Sequence, residues 1–156
     1  MSRIEEKVVV SAPHILQEHP IIQLYQENNQ FGKNIGIHFK IIDRGLVEYY
    51  GQIIENKLAT PIAAHGGFTA SLCDGALGIA ALTLVAENNQ LVSTVEMNIK
   101  FLKPILLCDN LKAIGKVISA GKRIIFSVCD VYNQKEELVA HATGTFNAYP
   151  IDKSKY

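Results

Sequence analysis

Residues 62 to 86 form an almost wholly apolar run that carries a single carboxylate, Asp74. A helix that is apolar on all sides is usually buried inside its own protein. A carboxylate in such surroundings destabilises the fold unless it is paired or has a task that requires it there. The run therefore predicts the central helix of the fold, and it marks Asp74 as the residue whose position calls for a functional explanation.

The same run is also long enough, at about 1.5 Å per residue, to cross a bilayer of about 30 Å. Asp74 near its centre opposes insertion, and neither end of the run carries a cluster of lysines or arginines. We therefore interpret the run as a core helix and expect no membrane partner.

The charges and cysteines of the 156-residue chain narrow the function further. The 15 basic and 15 acidic side chains cancel, which does not favour binding to nucleic acid. The three cysteines are odd in number and form no Cys-x-x-Cys pair, so we expect neither a disulfide framework nor a metal site. The N-terminus mixes acidic and basic residues, unlike a secretory signal, and we expect a cytoplasmic protein.

Alternating apolar and polar residues predict strands on both sides of the helix. The expected order is a hairpin, the helix and then four strands, and six strands with one helix favour an antiparallel sheet wrapped around it. We therefore predict a single α+β domain, in which such a sheet would pair with another copy of the chain. Its expected parts are an N-terminal helical extension (1–33), a core (34–148) and a tail (149–156).

The predicted helix begins with His65-Gly66-Gly67, and this start combines with Asp74 to suggest acyl chemistry. The N–H groups of Gly66 and Gly67 lie in the first turn, where the helix leaves them unpaired and a ligand oxygen can approach. Asp74 could activate water or attack directly. Gly67 and Asp74 are about 10.5 Å apart along the helix, so we expect a site that two chains share, Gly67 of one facing Asp74 of the other. Gly75 and Gly78 then fit either close packing on a partner helix or close packing on the chain's own sheet.

The segment from His65 to Asp74 resembles the His-Gly-Gly start and helical aspartate of the hotdog-fold acyl-CoA thioesterases, in the phenylacetate-pathway (PaaI-like) group of the 4-hydroxybenzoyl-CoA thioesterase superfamily. The strand Val95 to Pro104 is similar to the strand that follows the helix in that group. The resemblance implies a hotdog homodimer or dimer of dimers that hydrolyses acyl-CoA, with coenzyme A present only as part of the substrate and no cofactor.

The resemblance also implies roles for individual residues. Asp74 matches the catalytic base or nucleophile, and Gly67 matches the donor to the thioester oxygen, supplied by the opposite subunit. His65 matches a histidine that either steadies the loop or contacts the thioester, and Thr94 matches a hydroxyl that positions water. The group usually carries an asparagine six residues before the histidine, where this chain has Ala59. The other expected substrate-binding residues are Gly66, Phe68, Asn56, Lys100, Lys103, Lys122 and Arg123.

Ala59 keeps a second hypothesis open, namely a regulatory or binding protein that takes up acyl-CoA without hydrolysing it. A hydratase or dehydratase of the same fold is disfavoured, because the sequence lacks the paired histidine and carboxylate motif expected of those enzymes. The acyl group, which could be aryl, short or medium, is not determined by the sequence.

Overall fold

The computed structural model describes residues 13–155 of the chain, and their side chains from Ile15 onward. Three short helices come first, followed by a hairpin, one long helix and four strands. The helices are α1 (Pro13–Gln17), α2 (Pro20–Asn28), α3 (Gln30–Ile35) and α4 (Gly66–Val85), and the strands are β1 (His38–Asp43), β2 (Leu46–Gln52), β3 (Gln90–Phe101), β4 (Asn110–Ala120), β5 (Ile124–Tyr132) and β6 (Leu138–Pro150).

The six strands form one antiparallel sheet in the order β1-β2-β4-β5-β6-β3, which leaves β1 and β3 at its edges. Helix α4 packs against β2 through β6. This is the predicted hotdog fold, a sheet wrapped around one long helix. It follows from the chain's patterning, because alternating residues give each strand one buried face and only α4 is apolar enough to cover those faces together.

Small side chains let α4 lie directly on the sheet. A Cβ atom added at Gly115 of β4 would come within 2.2 Å of the carbonyl oxygen of Ala76, so the two backbones approach as closely as glycine allows. Gly75 lies against the ring of Tyr49 and Gly78 against the ring of Phe146, both on the chain's own sheet. Packing within the chain therefore accounts for both helix glycines.

Helix α4 passes the length and composition test for a membrane span, yet 67% of its apolar window is buried inside the fold. Most of its side chains pack with the sheet, which is the behaviour of a core helix. The sequence interpretation of this run as a core helix agrees with that packing.

Several element bounds differ from the sequence expectations. The polar sequence Glu87-Asn88-Asn89-Gln90 predicts a turn, yet strand β3 begins at Gln90. The pattern predicts the next strand from about Leu106, but β4 begins at Asn110, because the Asp109 carboxylate accepts a hydrogen bond from the Leu106 N–H (2.8 Å) and holds those residues in a turn. The last helix of the extension reaches Ile35 and β6 reaches Pro150, two residues beyond the expected boundaries.

The N-terminal helices are fixed to the core. Leu16, Ile21 and Ile22 are buried among core residues. The Gln17 side-chain oxygen accepts a hydrogen bond from the backbone N–H of Ile41 on β1 (2.8 Å), and the Tyr25 and Tyr49 hydroxyls are hydrogen bonded (3.3 Å). The extension is therefore a fixed layer of the fold.

Candidate active site

His65 caps the start of α4 with its own imidazole. Its Nδ1 accepts a hydrogen bond from the Gly67 N–H (2.8 Å), and its backbone N–H donates to the Lys57 carbonyl (2.8 Å). The Gly66 N–H finds no acceptor among residues 13–155. Both glycines are exposed. The sequence prediction of a backbone donor at Gly67 therefore meets a competitor, because the Gly67 N–H is engaged by His65 while the Gly66 N–H is open.

Asp74 lies about two helical turns after Gly67, on the same side of α4. The expectation that apolar neighbours bury it is wrong, because Asp74 is exposed on a stripe that also contains Gly67 and Ser71. The sheet leaves this stripe uncovered apart from its edge strand β3, and spacings of four and three residues keep its members on one side of the helix. A carboxylate placed there avoids the cost of burial that the sequence pattern implies.

Thr94 on β3 holds this carboxylate. Its hydroxyl donates to Asp74 Oδ1 at 2.9 Å. The pairing of β3 with β6 shifts by one residue between Thr94 and Glu96, so Val95 is an extra residue in the edge strand. Bulges of this kind change the direction of neighbouring side chains. The structure thus brings together Thr94 and Asp74, which are 20 residues apart in the sequence.

A cavity of about 450 Å³ opens beside Asp74 and Thr94. Of the side chains that the structure describes, Asp74 is the only charged one that lines this cavity. The other walls come from β3, β6 and the N-terminal helices, and they are largely aliphatic and aromatic. A mostly apolar cavity with a few polar groups is typical of a site for a small organic ligand. Residues that represent its three walls are Ile79 and Leu82 of α4, Met97 and Phe146 of the sheet, and Leu24 and Phe31 of the extension.

A second, smaller cavity of about 270 Å³ lies at the start of α4. Its lining residues include Asn56, Lys57, His65, Gly67 and Phe68. Phe68 was expected to bind substrate, but its side chain is only 6% exposed and the Lys57 ammonium lies over its ring at 4.6 Å. The fold therefore places Asn56 and His65 in the same cavity. Ala59, which stands where the family resemblance would place an asparagine, does not line it.

The chain on its own presents two separate half-sites, one at Gly66 and His65 and the other at Asp74 and Thr94. Gly67 and Asp74 are seven positions apart on the helix, which corresponds to a rise of about 10.5 Å. One reacting carbon therefore cannot contact both. Strand β3, which carries Thr94, is an edge strand of 12 residues whose outer backbone groups have no strand partner within residues 13–155. A long unpaired edge of this kind is a place where another chain can add.

The four predicted cationic residues fall into two groups. Lys100 is exposed beside Phe101, whose ring lies against Gly66, and Lys103 pairs with Glu137 at 2.9 Å. Lys122 and Arg123 lie in the turn between β4 and β5, where Arg123 donates to Asn147 at 3.1 Å.

Sequence reasoning missed Lys57, because no local pattern distinguishes a lysine in a short turn from a solvated one. Burial lowers the pKa of Lys57.

Sequence reasoning also missed a polar chain beneath Asp74. Asn29 donates to the Tyr25 hydroxyl (3.0 Å), which is hydrogen bonded to the Tyr49 hydroxyl. Burial raises the pKa of Tyr49 well above its ordinary value, and the nearby Tyr25 and Asp74 raise it further. Tyr49 therefore stays protonated and neutral next to the carboxylate. These tyrosines lie on separate elements, so no sequence spacing could have indicated the contact.

Two of the three cysteines belong to the core, whereas Cys108 is exposed and lines neither cavity. Cys73 and Cys129 are buried. The pKa of the Cys129 thiol is raised, mainly by a hydrogen bond with Cys73 and to a lesser extent by burial. A thiol of this kind is a poor nucleophile. Among residues 13–155, no three His, Cys, Asp or Glu side chains are grouped to hold a metal ion.

Comparisons with known proteins agree with this fold. The family described as the thioesterase superfamily matches residues 63–140. The PaaI protein of the Escherichia coli phenylacetic acid degradation operon has the same fold with a TM-score of 0.80 and 24% identity, over 89% of this chain and 96% of that chain. A thioesterase from Haemophilus influenzae gives a TM-score of 0.76 at 17% identity, over 86% and 91% of the two chains. A Streptococcus mutans protein bound to acetyl-CoA gives 0.66 at 24% identity, over 73% and 89%. No curated protein matches the chain significantly.

Proposed function

The chain belongs to the thioesterase superfamily, and we propose that it hydrolyses the thioester of an acyl-CoA at a site that two subunits complete. The observation that carries this proposal is the Asp74 carboxylate, held by the Thr94 hydroxyl and open to an apolar cavity of about 450 Å³. A thioester brings an apolar acyl group and a carbonyl carbon that water must attack, and these features match that cavity and its carboxylate.

In the proposed reaction Asp74 takes a proton from a water molecule, and the oxygen of that water attacks the thioester carbonyl carbon. The carbonyl oxygen becomes an oxyanion, which the N–H at the start of the partner's α4 stabilises. The intermediate collapses, the carbon–sulfur bond breaks, and the CoA thiolate leaves and takes up a proton. Direct attack by Asp74 would instead give a mixed anhydride that water then hydrolyses.

We assign the role of oxyanion donor to the Gly66 N–H in preference to the Gly67 N–H. The Gly67 N–H donates to His65 Nδ1 and would have to give up that bond, whereas the Gly66 N–H is open at the positive end of the helix dipole. His65 then acts by fixing the first turn. The group's usual asparagine is absent from this chain, which has Ala59 at that position. Asn56, which lines the cavity at this helix start, takes over its role in the proposed mechanism.

Among residues 15–155, no basic side chain lines the larger cavity, and this indicates the class of acyl group. An acyl chain that ends in a carboxylate would bring a second negative charge next to Asp74 without a cation to pair it, and that costs free energy. We therefore propose uncharged apolar acyl groups as substrates. The CoA phosphates would be met at the rim by cationic side chains, with the exposed Lys100, Lys103, Lys122 and Arg123 and the partly buried Lys57 as candidates.

The test is thiol release from a panel of acyl-CoA and aryl-CoA esters by the wild-type protein and by Asp74→Asn. We expect the variant to lose at least about 100-fold in kcat, because that is the usual contribution of a general base. Asp74 is exposed, so the thermal midpoint should change little. Asp152→Asn, the same substitution at an exposed carboxylate in the C-terminal turn, is the matched control and should keep full turnover. An unchanged kcat in Asp74→Asn would exclude the proposed mechanism.

A second candidate function rests on Ala59. If the loss of the usual asparagine contact abolishes turnover, the protein takes up acyl-CoA without cleaving it. Wild-type protein that binds CoA esters in calorimetry but releases no thiol from any of them would favour that function. We propose a cytoplasmic homodimer or dimer of dimers in either case.

A further inference from the structure

We infer that Phe31, in the N-terminal extension, is a specificity-determining residue that separates the two cavities and limits the size of the acyl group. The inference rests on the proposed function, since it concerns the substrate of the same site. It assigns a task to the extension, which lies outside the segment matched by the thioesterase superfamily.

Within the described part of the chain, Phe31 and Ser71 are the two residues that line both cavities. Ser71 is small, and its hydroxyl donates to the Gly67 carbonyl (2.7 Å), so it is turned towards its own helix. The bulk of the partition is therefore the phenyl ring of Phe31. That ring is 61% exposed, so its position is not explained by core packing.

The helix that carries Phe31 is held in a defined position. The Asn29 side-chain oxygen accepts a hydrogen bond from the Gly32 N–H (2.9 Å) and caps α3. The Asn29 amide also donates to the Tyr25 hydroxyl, and that hydroxyl is bonded to Tyr49 in the core. This chain of contacts joins the backbone on either side of Phe31 to β2. A ring anchored in this way can act as a wall against which acyl groups are selected.

Removal of the ring would join the cavities of about 450 and 270 Å³ into one space. A single methylene in an apolar pocket typically changes specificity by about 10- to 200-fold. Phe31→Ala removes a whole phenyl group, so we expect the ratio of kcat/KM for long or bulky acyl groups to that for short ones to rise at least about 10-fold. Short acyl groups should lose part of their affinity, because they no longer fill the space.

The experiment compares wild-type, Phe31→Ala and Ile15→Ala proteins on a series from acetyl-CoA to palmitoyl-CoA, with benzoyl-CoA as an aryl member. Ile15 is the matched control, since it is an apolar residue of the same extension that is 53% exposed and lines neither cavity. We expect the optimum to move to longer chains in Phe31→Ala only. An unchanged profile, or an equal shift in Ile15→Ala, overturns the inference.

A second measurement separates this inference from the proposed function. Calorimetric binding of non-hydrolysable alkyl-CoA thioethers of increasing length tests Phe31 without any turnover. A wild-type protein that releases no thiol but shows the length limit, with the limit relaxed in Phe31→Ala, contradicts hydrolysis and supports the inference. Hydrolysis by the wild type with identical thioether affinities in both variants supports the function and rejects the role of Phe31.

Discussion

At the scale of single residues, the contact that most needs a test is the 2.9 Å hydrogen bond from Thr94 to Asp74. Hydrogen bonds to charged groups contribute about 1.5–3 kcal/mol, equivalent to roughly 10- to 100-fold in rate if the bond matters in the transition state. We expect Thr94→Val to lower kcat by that factor, because the carboxylate loses the group that orients it. The measurement is steady-state thiol release.

Thr94→Ser is the control for this prediction, since it keeps the hydroxyl and removes only a methyl group. It should retain most of the wild-type kcat, and both variants should unfold at nearly the wild-type temperature because Thr94 is exposed. Equal turnover in Thr94→Val and wild type would mean that the bond only ties β3 to α4.

The same pair shows which residues the sequence could predict. Asp74 could be found because one carboxylate in an apolar run is a local anomaly. Its exposure could not, because the side of α4 that the sheet leaves open depends on how β3 and β6 pack around it. The reorientation of Thr94 by the extra residue Val95 is likewise set by strand pairing, which no single strand's pattern reveals.

At the scale of an element, the first turn of α4 decides which N–H meets the oxyanion. Gly66→Pro removes that N–H, and proline suits this position because it is the first residue of the helix and His65 before it has the extended ψ of 131° that proline requires. We expect kcat to fall by about 100- to 1,000-fold, the usual effect of losing one oxyanion donor.

Gly66→Ala keeps the N–H and crowds the site nearly as much as Gly66→Pro does, since the added Cβ would lie 3.2 Å from the exposed ring of Phe101. It should therefore lose much less activity than Gly66→Pro. Circular dichroism of both variants checks that α4 is intact. If the two substitutions lower kcat equally, the steric effect is responsible and the donor is not Gly66.

The N-terminal extension shows the limit of prediction for whole elements. The sequence indicated short helices, and Pro20 does occupy the start of α2. It gave no sign that these helices form a wall of the larger cavity, because their links to the core, such as the hydrogen bond between the Tyr25 and Tyr49 hydroxyls, join residues that are far apart in the sequence. Local patterns determine the type of an element, whereas its position depends on such distant contacts.

At the scale of the molecule, Gly66 and Asp74 lie too far apart to act on one thioester within a single chain. In the proposed dimer, a two-fold axis would place each half-site of one chain against the other half-site of its partner. The unpaired edge of β3 offers the surface for such pairing. The family match confirms the thioesterase class, which the sequence had indicated. The assembly was inferred from helix spacing, from the uncovered face of the sheet and from the family resemblance, and it stays a prediction that activity in mixed dimers can test.

For this test, Asp74→Asn and Gly66→Pro chains carry different affinity tags, are co-expressed, and are purified through both tags in sequence. Each variant alone should be nearly inactive. In the mixed dimer, one site combines both substitutions while the other combines an intact Asp74 with an intact Gly66, so we expect about half the wild-type activity per dimer. The reverse pairing is the control: a chain that carries both substitutions, joined to a wild-type chain, has one substitution in each shared site and should be inactive. If each chain instead held a complete site, the outcomes would exchange, with the first dimer inactive and the second retaining about half the activity.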